Sequence, residues 1–462
     1  MKQAIQFTQG SLPRQILRFS FPLIASNLLQ VFFHMSDLAV VGQFSERGAM
    51  ALGEIGSTAL LITLLTGCLI GNGGGINVLV AQYYGARNTE RLEKTVHTTL
   101  LLSAGIGVLL LVASVSLATP ILQLLGTHDE LIDGAVLYFR LYALGMPALA
   151  IYNYGNAVLS AAGDTKRPLY FMLTAGILNV LLNLFFVIVC RTSVEGVALA
   201  SVISQYVSAA LVLWALFRAK GAHALSPKLL RIDRSIVRRA LGLGLPSGLQ
   251  NALFYVANLF VQTCVNSLGD PLLIAGNSAA QNSDALVFDV MTAFYTACAS
   301  FIGQNFGAGK RDRILKTYFI CLAYSFGIAA ILSAFLVGFG GAFLSIFTSD
   351  PTVIEKGMAR LIIMGLCYPI SALMDNTLAA ARGIGKTAIP TFIVIMGSVI
   401  FRLLWLATVF LTFRTIESIY LLYPFSWLIT GVAEIWYFRH AYRSVLKDLQ
   451  TPSLQTSVNI TL

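Results

Sequence analysis

Apolar residues run along this chain in twelve long blocks separated by short polar stretches. The blocks fall at approximately 15–43, 50–80, 95–118, 134–160, 167–190, 194–217, 239–266, 273–303, 316–340, 357–381, 388–413 and 418–440. A helix rises about 1.5 Å per residue, so blocks of this length match a hydrocarbon core of roughly 30 Å. The pattern predicts transmembrane helices rather than barrel strands, which are about half as long. The first block exceeds the apolar core of a signal peptide and is expected to stay in the mature chain.

Polar residues inside these blocks are few and placed with order. In the first block Asn27, Gln30, His34 and Asp37 recur at helical spacing along a single face. Ionisable groups are costly in hydrocarbon and generally line a cavity, a proton relay or an ion site. Composition agrees with the pattern: 56% of the 462 residues are hydrophobic and 11% charged, with a mean hydropathy of +0.76. A soluble globular domain is excluded.

Basic residues set the orientation, because Lys and Arg are retained in cytoplasmic loops. With the N-terminus inside, 24 of the 31 Lys and Arg fall in cytoplasmic segments, seven of them from Arg218 to Arg239. Outer loops keep Arg47, Arg191, Lys356 and Arg414, and Arg140, Arg360 and Arg402 lie in or beside helices. Both termini are therefore expected in the cytoplasm, with the chain multi-pass in the inner (cytoplasmic) membrane. The net charge of +10 reads as a topology signal and a contact with membrane lipid. No basic run interleaves with aromatics as a nucleic-acid surface would.

The chain also repeats itself at a shift of 222 residues. Residues 82–95 (QYYGARNTERLEKT) and 304–317 (QNFGAGKRDRILKT) share Gln, Gly, Ala, Arg, Lys and Thr at equal positions. The same shift relates Pro147 to Pro369 and Pro168 to Pro390. Six helices per copy make the repeat parallel. The expected fold is an all-α polytopic membrane protein, with twelve transmembrane helices in two six-helix lobes related by a pseudo-two-fold repeat about a central cavity. The N-terminal lobe is placed at 1–217, a basic cytoplasmic linker at 218–238, the C-terminal lobe at 239–440 and a cytoplasmic tail at 441–462. A duplicated bundle of this kind suits alternating access.

Other motifs contribute little chemistry. Six cysteines lie in apolar stretches without CxxC spacing, which favours packing over metal or disulfide roles. The cluster Gly71-Asn72-Gly73-Gly74-Gly75 lacks the Lys-Ser/Thr of a phosphate loop and reads as close helix packing or a deformed helix. No HExxH, GxSxG or Walker motif is present, so no enzyme and no cofactor is expected.

Several segments resemble the signatures of prokaryotic multidrug and toxic compound extrusion (MATE) transporters. They are FPLIASNLLQVFFHMSDLAVVGQF, VLVAQYYGARN, LSAAGDTKRP, AGNSAAQNSDALVFDVMTAFYTACASFIGQNFGAGK, ARGIGKTAIP and FRLLWLATVF with LLYPFSWLITG. The resemblance implies a secondary antiporter, working as a monomer, that exports amphipathic and often cationic small molecules in exchange for H⁺ or Na⁺. A lipid-linked saccharide flippase of the same superfamily is the alternative.

By that resemblance Asp37 matches the first-helix acid implicated in cation coupling. His34 stands where relatives often carry Asn, one turn from Asp37. Asn179 and Asn183 stand where many relatives have Asn followed by Asp, and Ser201 falls near a hydroxyl position. Asp37, Asn179 and Asn183, completed by Ser201, offer oxygens for Na⁺, whereas Asp37 with His34 suits protons. The reading leans to H⁺. In the C-terminal lobe Asp284 and Asp375 fall where relatives carry acids, and either attracts substrate or carries coupling charge. Gln30, Asn27, Tyr152, Asn153, Tyr255 and Gln281 complete the expected substrate cavity. Arg402 resembles a family arginine and is expected in a structural salt bridge. Glu54 and Glu434 are atypical of the family and are given no role.

Overall fold

The protein is described by a computed structural model covering residues 7–45 and 47–448; Lys2 and the tail beyond 448 lie outside the described residues. Twelve long helical stretches follow the twelve apolar blocks in order. They are α1 Leu12–Phe44, α2 Gly48–Gly85, α3 Thr89–Leu124, α4 Asp129–Ala143 with Met146–Ala161, α5 Lys166–Val189 and α6 Val194–Phe217. The second set is α7 Arg234–Asn266, α8 Pro271–Gly307, α9 Arg311–Gly338, α10 Pro351–Gly383, α11 Ala388–Phe413 and α12 Ile416–Asp448. All but α7 are long and apolar enough to cross a membrane, counting the two parts of α4 as one span. The 33-residue α7 has the length, but Gln250, Asn251, Asn258 and Gln262 lower its hydropathy.

The repeat is written into the helix boundaries. Leu12 and Arg234, Thr89 and Arg311, Asp129 and Pro351, Lys166 and Ala388, and Val194 and Ile416 each begin helices 222 residues apart. The turns recur as well: Gly163 and Gly385 both take positive φ (92° and 83°) just after α4 and α10, a conformation that favours glycine. One copy departs. Pro147 opens the second part of α4, which bends by 45° between Ala143 and Met146, whereas Pro369 sits inside an unbroken α10.

The chain divides into two compact units whose boundaries differ from those expected for the two lobes. One unit is Ala25–Asn251; the other, among the described residues, is 7–24 together with 252–448. The linker 218–238 and the first half of α7 thus belong to the first unit. The first half of α1 belongs to the second. Apolar periodicity assigns a helix to a membrane, not to a bundle, so this exchange is invisible in the pattern.

Local contacts explain each exchange. In the first unit Gly71 and Gly75 of α2 lie against Gly248 and Gly244 of α7. A Cβ on Gly71 would come within 2.3 Å of the Gly248 nitrogen, and one on Gly75 within 2.5 Å of the Gly244 nitrogen. Two glycines spaced by four on each helix let the backbones touch. The segment before α7 is docked by backbone hydrogen bonds: Ser226 N–H donates to His97 Nε2 (2.9 Å), and Thr98 Oγ1 donates to the Arg231 carbonyl (3.0 Å). Asp233 then caps α7 by accepting from Ser235 and Ile236 N–H.

In the second unit Phe7 is buried and stacked on Phe301, with ring centroids 4.0 Å apart. Asn305 Nδ2 and Arg313 Nη2 both donate to the Phe7 carbonyl (3.2 and 3.0 Å). Lys310 Nζ donates to the Thr8 carbonyl at 2.7 Å. The segment ahead of α1 is therefore tied to α8 and α9 just as the segment ahead of α7 is tied to α3.

Candidate functional site

In the first unit, four of the five residues assigned to cation coupling form one row. Asn183 Nδ2 donates to Asp37 Oδ1 at 2.5 Å and to Asn179 Oδ1 at 3.3 Å. Asn179 Nδ2 donates to Ser201 Oγ at 3.4 Å. Asn179 and Asn183 are one turn apart on α5, which places both side chains on one face. The helix then widens: Phe185–Val189 is a π-helical stretch directly after Asn183 and Leu184, a distortion common beside functional groups.

Asn179, Asn183 and Ser201 are buried, and Asp37 is half-buried. With its amide N–H groups committed to Asp37 and Asn179, Asn183 turns its Oδ1 into the interior, where no hydrogen-bond donor reaches it. The Tyr138 and Tyr142 rings, 6.0 Å apart by centroid, lie within the field of Asp37. His34 does not join the row. It is exposed on α1 and makes no hydrogen bond or ion pair among the described residues.

The expected cavity residues of this unit are dispersed. Gln30 is exposed and Asn27 half-buried on α1. Asn153 returns its amide to the Leu149 carbonyl at 2.9 Å, as a helical side chain without a tertiary partner does. Tyr152 is packed inside the unit with its hydroxyl 3.4 Å from the Pro168 carbonyl. Its ring is enclosed by the bundle rather than exposed on a surface. Glu54 is fully buried and paired with Arg47 at 2.9 Å, its carboxyl occupying the space left by the missing side chain of Gly134.

The second unit gathers its polar residues differently. Asp284 forms an ion pair with Arg360, and Tyr368 Oη donates to its other oxygen. Arg360 Nη1 also donates to Asn277 Oδ1 (3.0 Å), which accepts from Tyr420 Oη (3.2 Å). The guanidinium is 2% exposed, beneath the rings of Tyr420 and Tyr423. Breaking such a pair strands a buried charge, so the Asp284 carboxylate is held in place by its partners. Sequence reasoning missed Arg360, Asn277, Tyr368 and Tyr420. An arginine inside an apolar run was the available signal, since it demands a partner.

Arg402 corrects a second expectation. Its hydrogen bonds go to Ser426 Oγ and Asn258 Oδ1, both 3.4 Å, and its guanidinium lies 4.6 Å from the Tyr423 ring centroid. No carboxylate is within ion-pair distance among the described residues. Asp375 is half-buried and feels Arg382 and Arg402 from farther away. Gln281 is exposed and bonded to Gln262 at 3.0 Å, and Tyr255 is 38% exposed near Asp289.

Two six-helix copies, each with its own buried polar row, define a polytopic membrane transporter built by duplication. The MatE family model matches residues 22–185 and again 246–407, the two copies seen in the helix boundaries. The chain belongs to the MatE family, the multidrug and toxic compound extrusion transporters, whose members are transporters and not enzymes.

Among its relatives are the probable multidrug resistance protein YpnP of Bacillus subtilis and the FAD transporter of Shewanella oneidensis. YpnP is 27% identical over 367 residues, covering 79% of this chain and 81% of that protein. The FAD transporter is 22% identical over 445 residues, covering 94% and 96%. A solved structure described as the outward-facing conformation of a multidrug resistance MATE family transporter superposes with a TM-score of 0.89. It is 20% identical and covers 97% of this chain and 99% of that one.

Proposed function

We propose that the chain is a secondary antiporter that exports amphipathic, often cationic, compounds in exchange for H⁺ by alternating access, with Asp37 as the coupling acid. The observation that carries this reading is the company Asp37 keeps. Its hydrogen-bond partner is a neutral amide, Asn183, and no cation pairs with it among the described residues. A carboxyl in that setting takes up or gives up a proton without breaking an ion pair. Burial favours the neutral form and the amide donor favours the charged one, so the balance shifts as water enters or leaves.

A second reading rests on the unpaired Asn183 Oδ1. That oxygen, Asp37, Asn179 and Ser201 together supply the hard donors that Na⁺ prefers. The names of relatives support efflux of multidrug type over lipid-carrier flipping. The excess of basic residues in alternate loops supports cytoplasmic termini.

Either ion supplies enough energy, since one cation crossing 100 mV yields about 2.3 kcal/mol. The test is export of an amphipathic dye by the purified protein in liposomes, under a pH gradient alone and a sodium gradient alone. Dye movement driven by the pH gradient is expected. Movement under the sodium gradient only would replace H⁺ with Na⁺ as the coupling ion, and movement under neither would remove antiport.

A further inference from the structure

The second unit contains a buried acid that the coupling row does not use. Glu434, on α12, is fully buried, and neither carboxyl oxygen has a hydrogen-bond partner. No ion pair reaches it among the described residues, yet it lies in the field of Arg382. That guanidinium is held elsewhere: Nη1 donates to the Tyr295 hydroxyl on α8, and Nη2 to Thr391 Oγ1 on α11 at 3.3 Å. An ionised carboxylate without a donor is costly in such a setting.

Packing alone does not call for an acid at this point. At a shift of 222 the first unit has Val212, fully buried against Gly155. Arg382 and Tyr295 correspond to Ser160 and Gly73. The acid, its distant arginine and the tyrosine that restrains the arginine are thus all particular to the second unit.

Arg382 and its hydrogen-bond partners come from three helices. α10 brings Arg382, which Asp375 also feels. α8 brings Tyr295, held by that guanidinium, and α11 brings the hydroxyls of Thr391, bonded to Arg382, and Ser398, bonded to Thr430 at 3.0 Å. Tyr318 of α9 packs its ring on Phe438 and shares a hydrogen bond with Thr377 (2.9 Å). On α12 itself the neighbour is Tyr437. Arg382 is one residue from the end of α10, and the exposed turn that follows includes Gly385 and Lys386.

We propose that Glu434 is a second proton-binding site, protonated while Tyr295 and Thr391 hold Arg382 and deprotonated when that guanidinium turns to pair with it. In the release step the Glu434 O–H bond breaks and the proton passes to water. The electron pair stays on the carboxylate, whose charge Arg382 balances. The proposal builds on the antiport reading, but its test does not depend on transport.

Purified full-length protein is titrated with base while infrared difference spectra follow the carbonyl band of protonated carboxyls. In wild type the band is expected to contain a component that disappears in Glu434→Gln and survives in Asp37→Asn. In Arg382→Gln that component is expected to persist to higher pH, because the balancing charge is gone. Glu434→Val, which installs the residue of the first unit, serves if the Gln variant does not fold. Spectra of folded Gln or Val variants identical to wild type would overturn the proposal. So would an Arg382→Gln titration that matches wild type. Failure of pH-driven export with the Glu434 component still present would count against antiport while leaving this site standing.

Discussion

The two units share one helix plan and differ in what they bury. In the first, an acid rests on amides: Asp37 with Asn183, Asn179 and Ser201. A shift of 222 converts these to Leu259, Trp405, Phe401 and Tyr423, all of them apolar or aromatic. In the second unit an acid rests on a guanidinium, with Asp284, Arg360, Asn277 and Tyr368 in the places of Ile62, Tyr138, Ile55 and Met146. The shared plan therefore dictates neither set. An amide-held acid can change protonation state at small structural cost, whereas an ion-paired acid resists the change. The contrast separates an acid held by neutral groups from one held by a charge.

The strongest way to break this contrast is Asp37→Asn. It is expected to abolish ion-driven dye export in liposomes while leaving membrane insertion and the size-exclusion profile unchanged; export at the wild-type rate would end the distinction. Next in size is Arg360→Met, which strands the Asp284 charge and is expected to cost ~3–5 kcal/mol of stability. Thermal unfolding in detergent should show a lowered midpoint, and adding Asp284→Asn should restore part of it.

Gly75→Leu forces apart the α2 and α7 backbones in the first unit. A loss of ~1–3 kcal/mol by the same measurement is expected. Asn179→Ala removes one neutral link from the row, worth ~1 kcal/mol, so apparent affinity for the coupling ion should weaken about five-fold.

The smallest effect lies outside the membrane. A hydrogen bond from the Ser235 hydroxyl, reinforced by the Ile236 and Ser235 backbone N–H groups, holds the Asp233 carboxyl below its ordinary range. Its contribution to folding is thus present above the ordinary carboxylate pKa and fades as pH falls through the lowered one. Asp233→Ala is expected to cost ~1 kcal/mol near neutral pH and nothing measurable below that range. An equal cost at both pH values would show that the carboxylate is not the cap.

Most of the helical plan was legible because lipid leaves few options: an apolar block of this length becomes a helix, and a 222-residue repeat fixes matching ends. The Asp37 row was legible for a similar reason. Asn179 and Asn183 share a face by spacing alone, and resemblance to the family supplied Asp37 and Ser201 as partners. Two expected members lie apart from the row: His34 shares the Asp37 side of α1 by spacing but is exposed, and the Tyr152 hydroxyl faces the Pro168 carbonyl inside the bundle.

What stayed hidden depends on contacts between residues distant in the chain. Nothing in the apolar pattern ties Arg360 to Asp284, or Phe7 to Phe301. The glycine pairs of α2 and α7 were visible singly, but their meeting was not.

That meeting bears on how the polypeptide is divided. A break in the backbone between residues 218 and 233 appears harmless on a hydropathy plot, falling in a polar loop between the repeated halves. Yet the upstream fragment would be deprived of the glycine-bearing helix half that closes its bundle, and the downstream fragment of the phenylalanine plug before α1. Neither half is expected to fold alone, and the severed pieces are expected to assemble only when made side by side.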